Sequence, residues 1–229
     1  KSIEIALDSS EEYFNQTGSI GTDKLGSVAF KFNINQSVGA NTKIKYVDEA
    51  LENVNADYNN IGGLYRIEDN SGSVLDVYDL NQDGDVHDKI LPGEDGYYIS
   101  ALSQWEHLTG IKSGSNRVYD SITGTTTGAM HLSPDQLYAP FLIANGGKLM
   151  SEDESIYDIF DDVISANPDN ERGKFNGQNI ATYFSFKDAN PDSLDHVMQR
   201  SDGSIGFEDL DRLGKSDDDF TDAIFKFEI

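Results

Sequence analysis

Asp79-Leu80-Asn81-Gln82-Asp83-Gly84-Asp85-Val86-His87-Asp88 sets side-chain oxygens at alternate positions, Asp79, Asn81, Asp83 and Asp85, with a glycine at the sixth. This is the first half of a calcium loop, D-x-[DN]-x-[DN]-G, in which alternate oxygens converge on one point while the glycine permits a sharp turn. A helix-loop-helix site would place a bidentate glutamate at the twelfth position, which here is Ile90, followed by Leu91 and Pro92. The closing ligand and the exiting helix are therefore missing. The loop is expected on a β scaffold, completed by Asp88 or by Glu94 and Asp95. An acidic turn without an ion is the plainer alternative, but four carboxylates within ten residues repel one another once ordered, which favours calcium.

The C-terminal third is denser still. Asp188, Asn190, Asp192 and Asp195 are followed by Asp202, by Glu208 and Asp209, and by Asp217, Asp218, Asp219 and Asp222. Carboxylates gathered between two strand-like segments, Thr182 to Lys187 and Ala223 to Ile229, need counter-charge. Calcium supplies it naturally, since it accepts six to eight oxygens in flexible geometry, whereas magnesium resists dehydration. Asp188, Asn190, Asp192, Asp195, Glu208, Asp209, Asp217, Asp219 and Asp222 are the expected ligands, together with Asp79, Asn81, Asp83, Asp85 and Asp88, for several Ca2+ ions in all. The alternative is a solvated acidic face.

Composition narrows the function classes. The 229 residues hold 41 Asp plus Glu against 17 Lys plus Arg, a formal charge of −24, and no cysteine. Such a chain is repelled by nucleic acid and by anionic headgroups, which excludes both as partners. Without cysteine there is no disulfide framework, zinc-thiolate cluster or cysteine nucleophile. Of the acids, 28 are Asp, which favours turns and compact oxygen cages over helices. No apolar run reaches the roughly 18 residues of a membrane span, so direct membrane insertion is not expected. The four histidines, His87, His107, His131 and His196, form no zinc motif, and no G-x-S-x-G elbow occurs, so no enzyme is expected. Paired carboxylates, all that a glycosidase needs, are too common here to argue for one.

Strand-period alternation must position these groups. Val28, Phe30, Phe32 and Ile34 alternate with polar or small residues, as do Ile3, Ile5 and Leu7 at the start and Phe225, Phe227 and Ile229 at the end. Ile44 to Val47, Leu64 to Glu68, Val74 to Tyr78, Phe141 to Ala144 and Thr182 to Lys187 are further strands, and Leu64 to Tyr78 reads as a hairpin turning at Asp69-Asn70-Ser71-Gly72. Helical period is confined to Ile156, Ile159, Phe160 and Val163, and to Tyr98, Ala101, Leu102, Trp105 and Leu108. Thr123 to Gly128 reads as a surface loop, and the tetrapeptide Ala-Asn-Pro-Asp occurs at 166–169 and again at 189–192. The expected fold is mainly β, a β-sandwich-like single domain over 1–229 with long calcium-binding loops and a few short helices.

Tyr183-Phe184-Ser185-Phe186-Lys187-Asp188-Ala189-Asn190-Pro191-Asp192, Asp195-His196-Val197, Gly206-Phe207-Glu208-Asp209-Leu210 and Asp217-Asp218-Asp219-Phe220-Thr221-Asp222 resemble, in order and spacing, the signature of a domain family from large secreted bacterial surface proteins. Adhesins of the repeats-in-toxin type are among them. Weaker matches are Gly63-Leu64-Tyr65 with Leu91-Pro92-Gly93-Glu94-Asp95-Gly96-Tyr97, and Tyr138 to Gly146; residues 1–60 carry none. The chain departs at Lys215-Ser216, where glycines are usual, and at Thr221, where Asn is usual. The resemblance implies a calcium-stabilised, monomeric binding module on the bacterial cell surface. Its expected partner is an extracellular peptide or protein, with a C-terminal carboxylate a plausible target and His196, Arg200 and Asp202 as candidate contacts. A packed His196 is the plainer reading of that residue. A glycan ligand held by calcium, with a stacking aromatic such as Trp105, is the alternative function.

Overall fold

The structure is a computed structural model that describes residues 2–7, 13–15, 24–33, 42–46, 58, 60–103, 109–112, 118–120, 125–127, 129–132, 136–149, 156–172, 180–214, 216–225 and 227–228. The fold is mainly β and β-sandwich-like, and every strand pairing described is antiparallel. Its centre is β13, Leu137–Ala144, buried at every position but the first. A strand covered on both faces reads as a continuous apolar run, which is why LYAPFLIA does not alternate. Along one edge β13 pairs with β6, Ile61–Ile67, from Leu137↔Ile67 to Ile143↔Ile61. Along the other it pairs first with β4, Val28–Asn33, through Leu137 and Tyr138, and then with β14, Ala181–Phe184, from Phe141 to Ala144. Pro140, which has no N–H to give a ladder, falls at that changeover.

β1, Ser2–Leu7, and β2, Tyr13–Asn15, extend this sheet beyond β4, while β9, Thr109–Lys112, β10, Val118–Asp120, and β11, Thr125–Thr127, extend it beyond β6. A separate ladder orders β12, Ala129–Leu132, β5, Thr42–Tyr46, and β18, Phe227–Glu228. The C-terminal sheet runs β17, Ala223–Phe225, then β16, Ile205–Phe207, then β15, Val197–Gln199, then β3, Lys24–Leu25. Under the central sheet lie α1, Tyr97–Ser103, and α2, Ile156–Ala166. The expected apolar stripe of α2 is the buried one, through Ile159, Phe160 and Val163. Tyr65 and Tyr97 set their edges against Phe184 at 5.3 and 5.6 Å, the geometry that the aromatic quadrupole favours, and their hydroxyls meet at 2.8 Å.

Two expectations change. The turn at Asp69 to Gly72 forms, with Gly72 N–H donating to Asp69 O at 3.0 Å and Glu68 N–H to Ser73 O at 2.7 Å, but no ladder between β6 and β7 continues from it. β6 pairs with β13 along its length and with β9 over Ile61 to Leu64, while β7, Val74–Leu75, pairs with β8, Lys89–Ile90. Thr123 to Gly128 contains β11 rather than only loop. α1 is described over Tyr97–Ser103, and Trp105 and Leu108 lie outside the described residues, as do Ile34, Val47 and Ile229. The repeated Ala-Asn-Pro-Asp acquires a structural reason. Asn167 donates to Ile180 O just before β14, and Asn190 accepts from Phe184 N and donates to Phe184 O at its end. Each Asn-Pro turn thus fastens one end of the same strand.

Candidate metal centre

β15 and β16 run on past their ladder through Glu208 N–H to His196 O, and β16 and β17 through Asp222 N–H to Phe207 O. Glu208 and Asp222 therefore face each other where the two strands part into the connecting loop. Like charges in such positions destabilise a sheet unless a cation lies between them. The loop returns over β16 so closely that a Cβ on Gly206 would stand 2.2 Å from Phe220 O, which explains the glycine before Phe207. Asp218 and Phe220 take left-handed backbone at φ 57° and 53°. Within this turn Asp218 swings to Arg212, whose Nε donates to it at 2.6 Å, while Asp217 and Asp219 turn toward Glu208.

Two groups of carboxylate oxygens result. Glu208, Asp209 and Asp222 have oxygens within 4.8 Å of one another, and so do Glu208, Asp217 and Asp219. Oxygens sharing one calcium at about 2.3–2.6 Å can lie no more than about 5 Å apart, so both groups have the spacing of a single-ion site. The first is interior, with Glu208, Asp209 and Asp222 at 0%, 2% and 7% exposure, whereas Asp217 and Asp219 are exposed. Little else neutralises them. Asn60 Nδ2 donates to Asp209 at 2.7 Å, Asp209 N–H to Asp222 at 2.9 Å and Leu210 N–H to Glu208 Oε1 at 3.3 Å. Glu208 Oε2 is buried without a hydrogen-bond partner among the described residues. Among the described residues no Lys or Arg pairs with Glu208, Asp217, Asp219 or Asp222. Burial, and then the charge of Asp222, pushes the Glu208 carboxyl up to about 8, and burial with the charges of Asp219 and Asp217 raises Asp222. Hard, anionic and short of counter-charge, these clusters could hold a metal ion.

The other expected ligands of this region have different tasks. Asp192 Oδ2 accepts from His196 Nε2 at 2.9 Å and Arg212 N at 3.0 Å, and its Oδ1 accepts from Leu194 N at 3.0 Å. Burial alone would raise its carboxyl, but His196 and these N–H groups together hold it below the usual range. Asn190 spends its amide on the backbone of β14 and on Leu194 O. Asp195 gives its carbonyl to Arg212 Nη1 at 2.6 Å. Asp188 and Asn190 line a separate cleft of 460 Å³ with Asp95, Asp169 and Tyr98.

Of the expected ligand contacts, Arg200 and Asp202 share the turn between β15 and β16, and His196 lies apart from them at the other end of β15. His196 is fully buried, stacked on Tyr183 at 3.7 Å with Nδ1 on Glu208 O at 2.8 Å, and so has no face for a ligand. Arg200 reaches Phe220 O at 3.4 Å and ties down the acidic loop. Asp202 caps the turn between β15 and β16, accepting from Ser204 N at 2.9 Å, at the opposite end of those strands from Glu208.

The loop from Asp79 to Asp88 hangs between β7 and β8. Asp79 Oδ1 accepts Gly84 N–H, Asn81 Oδ1 accepts Asp83 N–H and Asp83 Oδ1 accepts Asp85 N–H, so alternate side chains fold the loop on itself. Asn81 Nδ2 donates to Asp83 at 3.3 Å and Asp88 at 3.4 Å, which gathers those three. Among the described residues no three carboxylates of the loop reach the 4.8 Å spacing of the Glu208 groups. Glu94, a possible closing ligand, accepts Leu91 N–H instead. Sequence reasoning missed Asp76, wholly buried at the root of the loop. Burial opposes its charge, yet backbone N–H groups of residues 78–81 outweigh that and hold its carboxyl below the usual range. Asn60 was missed too, since nothing in its neighbourhood points to Asp209, 149 residues away.

Fold and site together define a mainly β protein whose C-terminal sheet ends in a buried carboxylate cluster able to hold a metal ion. Residues 132–229 match the family described as Domain of unknown function (DUF4114). That stretch contains β13, α2, the C-terminal strands and both Glu208 groups. No curated protein and no solved structure matches the chain. Among the described residues no helix is long and apolar enough to cross a membrane.

Proposed function

We propose that this chain is a calcium-dependent ligand-binding module of a secreted bacterial surface adhesin, which works outside the cell by binding rather than catalysis. The observation that carries the reading is the Glu208 cluster: a buried carboxylate with an unpartnered oxygen, flanked on one side by buried Asp209 and Asp222 and on the other by exposed Asp217 and Asp219. Calcium is the preferred ion because the ligands are all hard oxygens, several to a site, on a flexible loop. Bound there, it supplies positive charge on an otherwise anionic surface, which recognition of an anionic group such as a peptide C-terminal carboxylate requires. The strongest motifs resembling the adhesin family, from Tyr183 to Asp222, lie in the same stretch as the matched family, 132–229, while the weaker ones at 63–65 and 91–97 lie before it.

Calorimetric titration of the calcium-loaded chain with a peptide library in free and amidated forms tests this function. Amidation should weaken binding about tenfold or more, the loss of one charge-assisted contact. Equal affinity for both forms overturns carboxylate recognition.

A further inference from the structure

Both trios contain the same residue. Glu208 is the one residue common to the two, and it is wholly buried, with Oε1 held by Leu210 N–H and Oε2 without a hydrogen-bond partner among the described residues. Charge makes one ion insufficient. The five carboxylates of Glu208, Asp209, Asp217, Asp219 and Asp222 carry −5 when ionised, so a single dication leaves −3 and two leave −1. Backbone and amide donors reach Asp209, Asp219 and Asp222, yet among the described residues no such donor reaches Asp217 or Glu208 Oε2. A carboxylate has four lone-pair directions and can face two cations at once.

We infer that Glu208 bridges two divalent cations, an inner one with Asp209 and Asp222 and an outer one with Asp217 and Asp219. This deepens the calcium reading above and rests on its metal part, not on the peptide. The two positions differ in character. The inner one is walled by the start of β17, the end of β16 and Asn60, so its occupant belongs to the folded sheet. The outer one depends on exposed aspartates of the 216–222 loop, so its occupant exchanges with solvent and fills at higher calcium concentration.

The test is native mass spectrometry of the full chain in calcium, which counts ions without any peptide. D217N/D219N should lose one ion per chain and E208Q two, relative to the unaltered protein. Should E208Q fail to fold by circular dichroism, D217N/D219N/D222N takes its place and should lose two. One ion lost from E208Q, or two from D217N/D219N, overturns the bridge while leaving calcium binding intact. An equal count in all variants overturns both the bridge and the metal reading. A peptide that fails to bind alters none of these counts.

Discussion

Replacing Asp192 by Asn keeps the shape of the side chain and removes its charge. Three donors converge on Asp192: His196 Nε2 at 2.9 Å and Arg212 N at 3.0 Å on one oxygen, and Leu194 N at 3.0 Å on the other. An amide offers a single acceptor oxygen, so whichever way it is turned its NH2 faces an N–H. The variant loses one hydrogen bond to a charged group, worth about 1.5–3 kcal/mol, and leaves a buried donor unsatisfied at about 1–3 kcal/mol. The two contributions together give about 3–5 kcal/mol. At about 2–4 °C per kcal/mol for a chain of this size, D192N should melt about 6–20 °C below the unaltered protein. Differential scanning calorimetry reads the melt, and a double-mutant cycle with His196→Phe reads the pair, with a coupling above about 1 kcal/mol expected. A loss under about 0.5 kcal/mol would refute the claim that this buried pair ties the Pro191 turn to β15.

Gly206→Ala forces the Phe220 carbonyl away from β16, so calcium affinity measured by calorimetry should fall about tenfold or more and stability by about 1–3 kcal/mol, as in other overpacked sites. In the first acidic loop, burial and then the nearby charge of Asp83 raise the Asp88 carboxyl. Asp88→Asn should therefore melt higher than the unaltered protein in chelator and lower in calcium; a shift of the same sign in both conditions would argue against an ion in that loop. Burial opposes the Asp69 charge, but Lys89 at 2.7 Å and Ser71 hold its carboxyl far below the usual range, and Asp69 raises Lys89 in turn. A depressed acid stabilises above its unfolded pKa and loses that as pH falls through the folded one; a raised lysine loses its share as pH rises through its own. The stability difference between Lys89→Met and the unaltered chain should thus be level between about pH 4 and about pH 10 and shrink outside that window, in urea melts across pH.

Much of the scaffold is legible in the sequence because period-2 alternation survives wherever one sheet face is wet. The alternation of Val28, Phe30 and Phe32 marks the strand at Val28–Asn33, and the α2 stripe through Ile159, Phe160 and Val163 follows from the 3.6-residue period. Pairing is less legible. That β6 chooses β13 and β9 over β7 depends on residues far along the chain, and the turn at Asp69 looks the same in either case. The candidate site shows a similar split. Composition marks the 188–222 stretch as an oxygen-rich cluster, but an aspartate that binds a cation and one that caps a turn are the same letter. Asp192 and Asn190 went to buried hydrogen bonds because the Asn-Pro turns place them against β14 and His196, whereas Asp217 and Asp219 escaped that fate through the left-handed backbone at Asp218.

Thermal melting of the full chain in calcium and in chelator tests the metal cluster most directly. With calcium about a hundredfold above its dissociation constant, each ion bound only by the folded state adds about 2.7 kcal/mol, or about 5–11 °C. The account predicts an increment of at least that size, most of it absent in E208Q. An unchanged melting temperature, in a chain that stays folded in both conditions, would show that the carboxylates around Glu208 hold no ion.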